Sequence, residues 1–170
     1  VLSQFLLRSG NVLAHPENAR LLLEQGELVG VFPEGVKGAA KAYRERYQVK
    51  RFGRGGFVQV AIRAGAPIVP VAIVGAEEVH PVVLDLPAVG RLFGVPTLPI
   101  TPTFPLLGLG GLVPLPSKWY IAFGRPIDTA SLGPEAAGDP GLVLDIAEDV
   151  RGWIQGQVND MLGRRTTPFF

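Results

Sequence analysis

Glu34 and Gly35 head a stretch that could bind and orient an anion. They follow a short apolar run, Leu28 to Phe32, and then Pro33. Gly35 permits a tight turn, and the C-terminal end of a strand in an open α/β sheet is where such sheets bind ligands. Lys37, Lys41, Arg44, Arg46, Lys50, Arg51 and Arg54 then fall within eighteen positions, against the single acid Glu45. These are 7 of the 16 basic residues, so this segment is where an anion is expected. Arg54-Gly55-Gly56 leads into a helix, whose free N–H groups and dipole favour phosphate. The competing reading is a solvated charged loop, and the Gly-Lys-Ser/Thr of a nucleotide loop is missing.

A second arrangement could move a proton. His80-Pro81-Val82-Val83-Leu84-Asp85 sets an imidazole five positions before a carboxylate, and a histidine is the commonest general base. Pro81 constrains the turn between them, and a histidine beside a proline near a strand end is commonly a surface or capping residue, so His80 and Asp85 are read as a decoy. His15 has Arg20 at that distance. Glu77 and Glu78 beside His80 hint at a metal site, but neighbours on an extended segment point apart, which favours a loop carboxylate pair and no metal. The chain has no cysteine, which excludes disulfides, thiolate chemistry and Cys-based zinc sites. Ser3, Ser9, Ser117 and Ser131 all lie outside a Gly-x-Ser-x-Gly elbow, which argues against a serine hydrolase.

The elements that must carry these residues follow from periodicity and punctuation. Residues 1 to 9 suggest the tail of a helix and Gly10 to Ala14 a short strand. His15-Pro16-Glu17 starts a helix over 17–25, with Ala19, Leu22 and Leu23 on one face and Gly26 as its stop. Leu28 to Phe32 reads as a buried strand. Residues 33–54 form a polar loop. A second helix covers 56–64, with Phe57, Ala61 and Ala64 on one face and Gly65 as its stop. Residues 68–74 form the next strand, in which Pro70 favours an edge or a bulge. Residues 119–123 form a further strand. Ile146, Val150, Ile154, Val158 and Met161 mark an amphipathic helix over 142–162. Residues 92 to 117 carry no charge but are broken by prolines and glycines, so they read as an apolar loop layer, not a spanning helix. At 170 residues, with no internal repeat, one domain is expected. The β-α-β order predicts an α/β fold with a mixed, largely parallel sheet flanked by helices.

Three blocks resemble the glycerolipid acyltransferase family, which includes lysophosphatidate and glycerol-3-phosphate acyltransferases. Val31-Phe32-Pro33-Glu34-Gly35 is similar to its Phe-Pro-Glu-Gly motif, Arg51-Phe52-Gly53-Arg54-Gly55-Gly56-Phe57 to its Phe-Lys-x-Gly stretch, and Ala66-Pro67-Ile68-Val69-Pro70-Val71-Ala72-Ile73 to its Ile-Val-Pro-Val block. They occur in the family's order and spacing. Pro116-Ser117-Lys118-Trp119 resembles a bacterial branch. The resemblance implies transfer of a fatty acyl group from an acyl thioester, on coenzyme A or acyl-carrier protein, to a glycerolipid hydroxyl, with no bound cofactor. It implies that Glu34 and Gly35 shape the acceptor pocket, and that Lys37, Arg51 and Arg54 bind phosphate. The family's His-x4-Asp motif would fall upstream of Val1, so the sheet is expected to be incomplete at its N-terminus and these 170 residues to lack the catalytic block. A chain that starts on Val1 without a signal peptide reads as a fragment.

Two departures bear on the acceptor. Val36-Lys37 stands where the family commonly has Thr-Arg, and lysine lacks arginine's planar fork. Ala14-His15-Pro16 stands where an arginine is usual. Both favour a neutral acceptor, such as a diacylglycerol or another alcohol. The expected partners are a lipid acceptor, an acyl thioester and the cytoplasmic face of a membrane, reached peripherally or through segments outside this chain. The net charge of +1 gives no field to recruit nucleic acid. The other classes weighed are a non-catalytic lipid-binding module and a lipid hydrolase.

Overall fold

A computed structural model of the chain describes residues 8, 10–35, 38, 41, 43–86 and 98–169. The chain gathers into two compact units. One comprises Val1–Pro33, Phe52–Val69 and Arg125–Asp149, the other Glu34–Arg51, Pro70–Gly124 and Val150–Phe170.

The first unit is helical. Helix α1 (Pro16–Glu24) begins one residue before its predicted start, because Pro16 occupies the first turn and His15 caps it, the Nδ1 accepting the Glu17 N–H at 3.3 Å. On its outer side Arg20 pairs with Glu17 at 2.6 Å and with Glu24, and its hydrogen bond holds the Glu17 carboxyl below the ordinary value. Helix α2 (Gly56–Ala64) has the predicted bounds. Its buried residues are Val58, Ala61 and Ile62, a face one position round from the predicted one. Val58 and Ile62 pack with Ala137 and with Val143 and Ala147 of helix α3 (Pro140–Arg164). Gly55, at φ 72°, lets the chain enter α2 close to Val143, where an added Cβ would lie 2.7 Å from Cγ1. That packing need accounts for a glycine read earlier as part of a phosphate loop.

The other end of α2 is closed by Thr129, which is fully buried. Its hydroxyl lies 3.2 Å from the Ala61 carbonyl and 2.7 Å from that of Ala66. Thr129→Val is expected to cost about 1–3 kcal/mol, the penalty for a buried acceptor left unmatched. Chemical denaturation of the two proteins reads this directly, and equal stabilities would remove the role.

The extended run of the first unit departs from expectation. Residues 28–32 form no ladder among the described residues, nor do residues 10–14. Leu28 is fully exposed, and Val31 and Phe32 are exposed as well. An apolar run favours burial, but a strand also needs backbone partners, and composition does not reveal them. Of residues 1–9 only Arg8 is described, and it is helical.

The second unit holds four short strands, β1 (Val71–Val74), β2 (Leu84–Leu86), β3 (Leu98–Ile100) and β4 (Tyr120–Phe123). β1 pairs antiparallel with β4, Val71 opposite Phe123 and Val74 opposite Tyr120. β2 pairs antiparallel with β3. The architecture is therefore mixed helix and strand, but a largely parallel sheet is not what the described strands form. The parallel reading needed 28–32 as a strand. Pro70, with no N–H to give, breaks the predicted 68–74 strand. Ile68 bridges Ile127 on one side of it, and β1 begins on the other. Ala72 and Val74 pack on Val158 and Met161 in the C-terminal half of α3, alongside Tyr120 and Trp153. Helix α3 thus extends two residues beyond its predicted span at each end.

Candidate functional site

The site is built in the second unit, around the turn at Glu34. Gly35 takes φ 59° there, as a tight turn requires. Glu34 uses both carboxylate oxygens. Oε1 accepts the Lys50 N–H at 3.1 Å, and Oε2 pairs with Lys41 Nζ at 3.2 Å. Lys41 Nζ also pairs with Glu77 Oε1 at 3.0 Å and donates to the Gln48 carbonyl at 3.0 Å. All three ammonium protons therefore have acceptors. An added Cβ on Gly38 would strike the Glu34 side chain, so the glycine makes room for the clamp.

The second oxygen of Glu77 accepts the Tyr47 N–H at 2.6 Å. Tyr47 has φ 67° and is the single non-glycine in the left-handed region among the described residues. Such a conformation persists where surroundings over-determine it. Here Glu77 holds the N–H, the Gln155 amide donates to the carbonyl at 2.9 Å, and Arg165 donates to the phenol at 3.1 Å. Gln155 also accepts the Val49 N–H at 2.8 Å.

Arg46 is the next residue back. Its guanidinium lies 4.3 Å from the Tyr43 ring centroid and 5.3 Å from that of Tyr47, and Nη1 donates to the Tyr43 carbonyl at 3.1 Å. Its Nε is buried with no acceptor. Lys41, Tyr43, Arg46, Glu77, His80 and Val82 line a concavity of about 230 Å³. Among its lining residues His80 is exposed.

The predicted site residues are placed as follows. Glu34 and Gly35 stand in this cluster. Lys37 lies outside the described residues. Arg51 belongs to the same unit and is exposed. Arg54 belongs to the first unit, exposed in the turn before α2. His80 is exposed at the cavity and makes no hydrogen bond among the described residues, and the side chain of Asp85 lies outside them. Glu77 and Glu78 point apart, though on a 3₁₀ turn and not an extended segment. Glu78 is buried on Arg165 at 2.6 Å while Glu77 faces Lys41. No cluster of metal-ligating side chains forms among the described residues.

The basic segment carries less free charge than its composition suggests. Lys41 is shared by two carboxylates, Lys50 pairs with Glu45 at 3.3 Å, and Arg46 stacks on tyrosines. Glu77 arrives from far along the chain, so no window around residue 45 could reveal it. Tyr43, Arg46 and Tyr47 stand at i, i+3 and i+4, a local spacing that signals a stacked arginine.

Residues 6–74 match the acyltransferase family model. An uncharacterized protein of Mycobacterium tuberculosis is 48% identical over all 170 residues, which cover 48% of its length, and one of Mycobacterium leprae is 46% identical, with 46% of its length covered. Phytyl ester synthase 2 of Arabidopsis thaliana is 29% identical over 148 residues, 75% of this chain and 20% of the synthase. No solved structure matches. Residues 6–74, from before α1 through Phe32-Pro33-Glu34-Gly35 to the end of β1, are thus the part of the chain similar to the acyltransferase family. The chain spans about half the length of the mycobacterial relatives it matches.

Proposed function

We propose that the protein carrying this chain moves a fatty acyl group from an acyl thioester, on coenzyme A or acyl-carrier protein, to a glycerolipid hydroxyl. The observation that supports this most is the clamp on the Phe-Pro-Glu-Gly turn. Glu34 is tied through Lys41 to Glu77, and Lys41 and Glu77 form part of the wall of a concavity sized for a small polar group. A preorganised wall of this kind orients an acceptor by position, not by charge.

In the proposed reaction an imidazole, oriented by an aspartate outside these 170 residues, takes the acceptor's hydroxyl proton. The oxygen attacks the thioester carbonyl, the new C–O bond forms as the C–S bond breaks, and the thiolate recovers the proton from the imidazolium. Glu34 and Gly35 shape the acceptor side, while Lys37, Arg51 and Arg54 meet phosphate of the donor or the lipid. The protein works at the cytoplasmic face of a membrane. The pairing of Lys41 and Lys50 with carboxylates favours an uncharged acceptor, a diacylglycerol or another alcohol. The similarity to a phytyl ester synthase, named for an ester of an uncharged alcohol, points the same way.

The test is an assay of the full-length protein with labelled acyl thioesters and a panel of diacylglycerol, a long-chain alcohol, lysophosphatidate and glycerol phosphate. Transfer is expected, strongest to the neutral acceptors, and His80→Ala, which alters the cavity lining but removes no base, is expected to lose less than about tenfold, below the loss that removing a general base brings. Vesicle binding without turnover, or labelling by a fluorophosphonate together with ester hydrolysis, would defeat the proposal. The 170 residues alone are expected to transfer nothing. Transfer by them that His80→Ala abolished would make that histidine the base.

A further inference from the structure

The connection from β3 to β4 plays no part in the clamp or the cavity, and its surface is unusual. Residues 92 to 117 hold no Asp, Glu, Lys or Arg. Within the described part, Leu106 is 83% exposed, Leu107 62% and Val113 64%. Isolated exposed leucines are ordinary on soluble proteins, but three large apolar residues within eight positions of an uncharged loop are not.

The loop's backbone is closed on itself. The Leu107 N–H donates to the Thr103 carbonyl at 2.8 Å, Gly108 to Pro105 at 2.8 Å, Gly110 to Leu107 at 3.1 Å and Val113 to Gly110 at 3.2 Å. The Thr101 N–H donates to the Phe104 carbonyl at 3.0 Å, and the buried Thr101 hydroxyl accepts the Phe104 N–H at 2.9 Å. Thr103 donates its hydroxyl to the Gly111 carbonyl at 3.1 Å, and an added Cβ on Gly111 would strike the Thr103 backbone. The tip thus shows apolar side chains while the amide protons of Phe104, Leu107, Gly108, Gly110 and Val113 are used internally. A protein partner would place no premium on that, because it can supply acceptors of its own. A hydrocarbon phase demands it, since lipid offers none.

We propose that this loop docks on a lipid bilayer, with Leu106, Leu107 and Val113 entering the acyl region. Charge complementarity selects the same occupant. The inserted part has no charge to desolvate, and Lys118, exposed five residues after Val113, meets the headgroups. No helix among the described residues is long and apolar enough to cross a membrane. The proposal deepens the acyltransferase reading by assigning the contact with the lipid surface, but its test uses no acyl donor, so the two can fail separately.

The test is co-sedimentation of the full chain with phosphatidylcholine vesicles and with vesicles containing a quarter phosphatidylglycerol. Wild type is expected to bind both. L106E/L107E and the uncharged L106S/L107S are each expected to lose about tenfold or more in partitioning. Lys118→Gln is expected to lose a few-fold on the anionic vesicles alone. Because the chain has no cysteine, Leu107→Cys takes a single environment-sensitive fluorophore, whose emission is expected to shift to the blue when vesicles are added. Equal partitioning of wild type and both double variants, no binding by wild type, or an unshifted emission at position 107 would each overturn the proposal.

Discussion

Arg165→Ala is expected to destabilise the protein by about 3–5 kcal/mol, the cost of stranding one member of a buried ion pair. Glu78 is fully buried, and Arg165 is 3% exposed. Nη1 donates to Glu78 at 2.6 Å and to the Tyr47 phenol at 3.1 Å, while Nη2 donates to the Lys118 and Pro168 carbonyls at 2.9 and 2.7 Å. One guanidinium therefore ties together the turn after β1, the loop before β4, the 43–50 segment and the chain's end. Truncating it leaves the buried Glu78 carboxylate with no counter-ion and removes a donor from the Lys118 carbonyl, while the Pro168 carbonyl keeps the Lys118 N–H at 3.0 Å. Replacing both partners by apolar residues, Glu78→Leu with Arg165→Met, is expected to recover most of the loss, because the desolvation penalty leaves with the charges. Denaturant midpoints of the single and double variants separate these outcomes. A single variant as stable as wild type would show that water reaches Glu78.

Glu34→Ala in the full-length protein is expected to lower acyl transfer by about 100-fold, the effect of roughly 1 Å of misplacement at a positioning wall. The alanine removes one of the three partners of Lys41 Nζ and the acceptor of the Lys50 N–H at once, and so loosens the wall that Lys41 shares with Glu77. Glu34→Gln keeps an acceptor for Lys50 and is expected to lose less. Arg54→Ala is expected to lower activity too, through KM for the donor. Wild-type kcat/KM in Glu34→Ala, with its melting temperature unchanged, would remove the carboxylate from the site.

The helices were legible because their signals are local. Pro16 and Glu17 open α1, glycines bracket α2, and apolar residues recur along α3 at three- and four-residue steps. Strands were less so. Residues 28–32 have a strand's composition but no ladder, and β2 and β3 are three residues each, the latter containing Pro99. A three-residue pairing declares itself through its partner, and the partner is remote. The site divides the same way. Glu34 and its basic neighbours stand out as a string, whereas Glu77, which decides how much of that charge remains free, joins by tertiary folding.

The Gln155 amide has a consequence for how the 43–50 segment is held. Its oxygen and nitrogen engage Val49 N–H and Tyr47 C=O, the two groups a neighbouring strand's peptide unit would engage. A side chain on a helix thus imitates one rung of a sheet. A rung has a fixed height, so the segment is registered against α3 to within a residue. Asparagine would be a methylene too short for the rung, and glutamate would offer acceptors alone. The Arg46 side chain, one residue before the rung, inherits its address from a helix more than a hundred residues away.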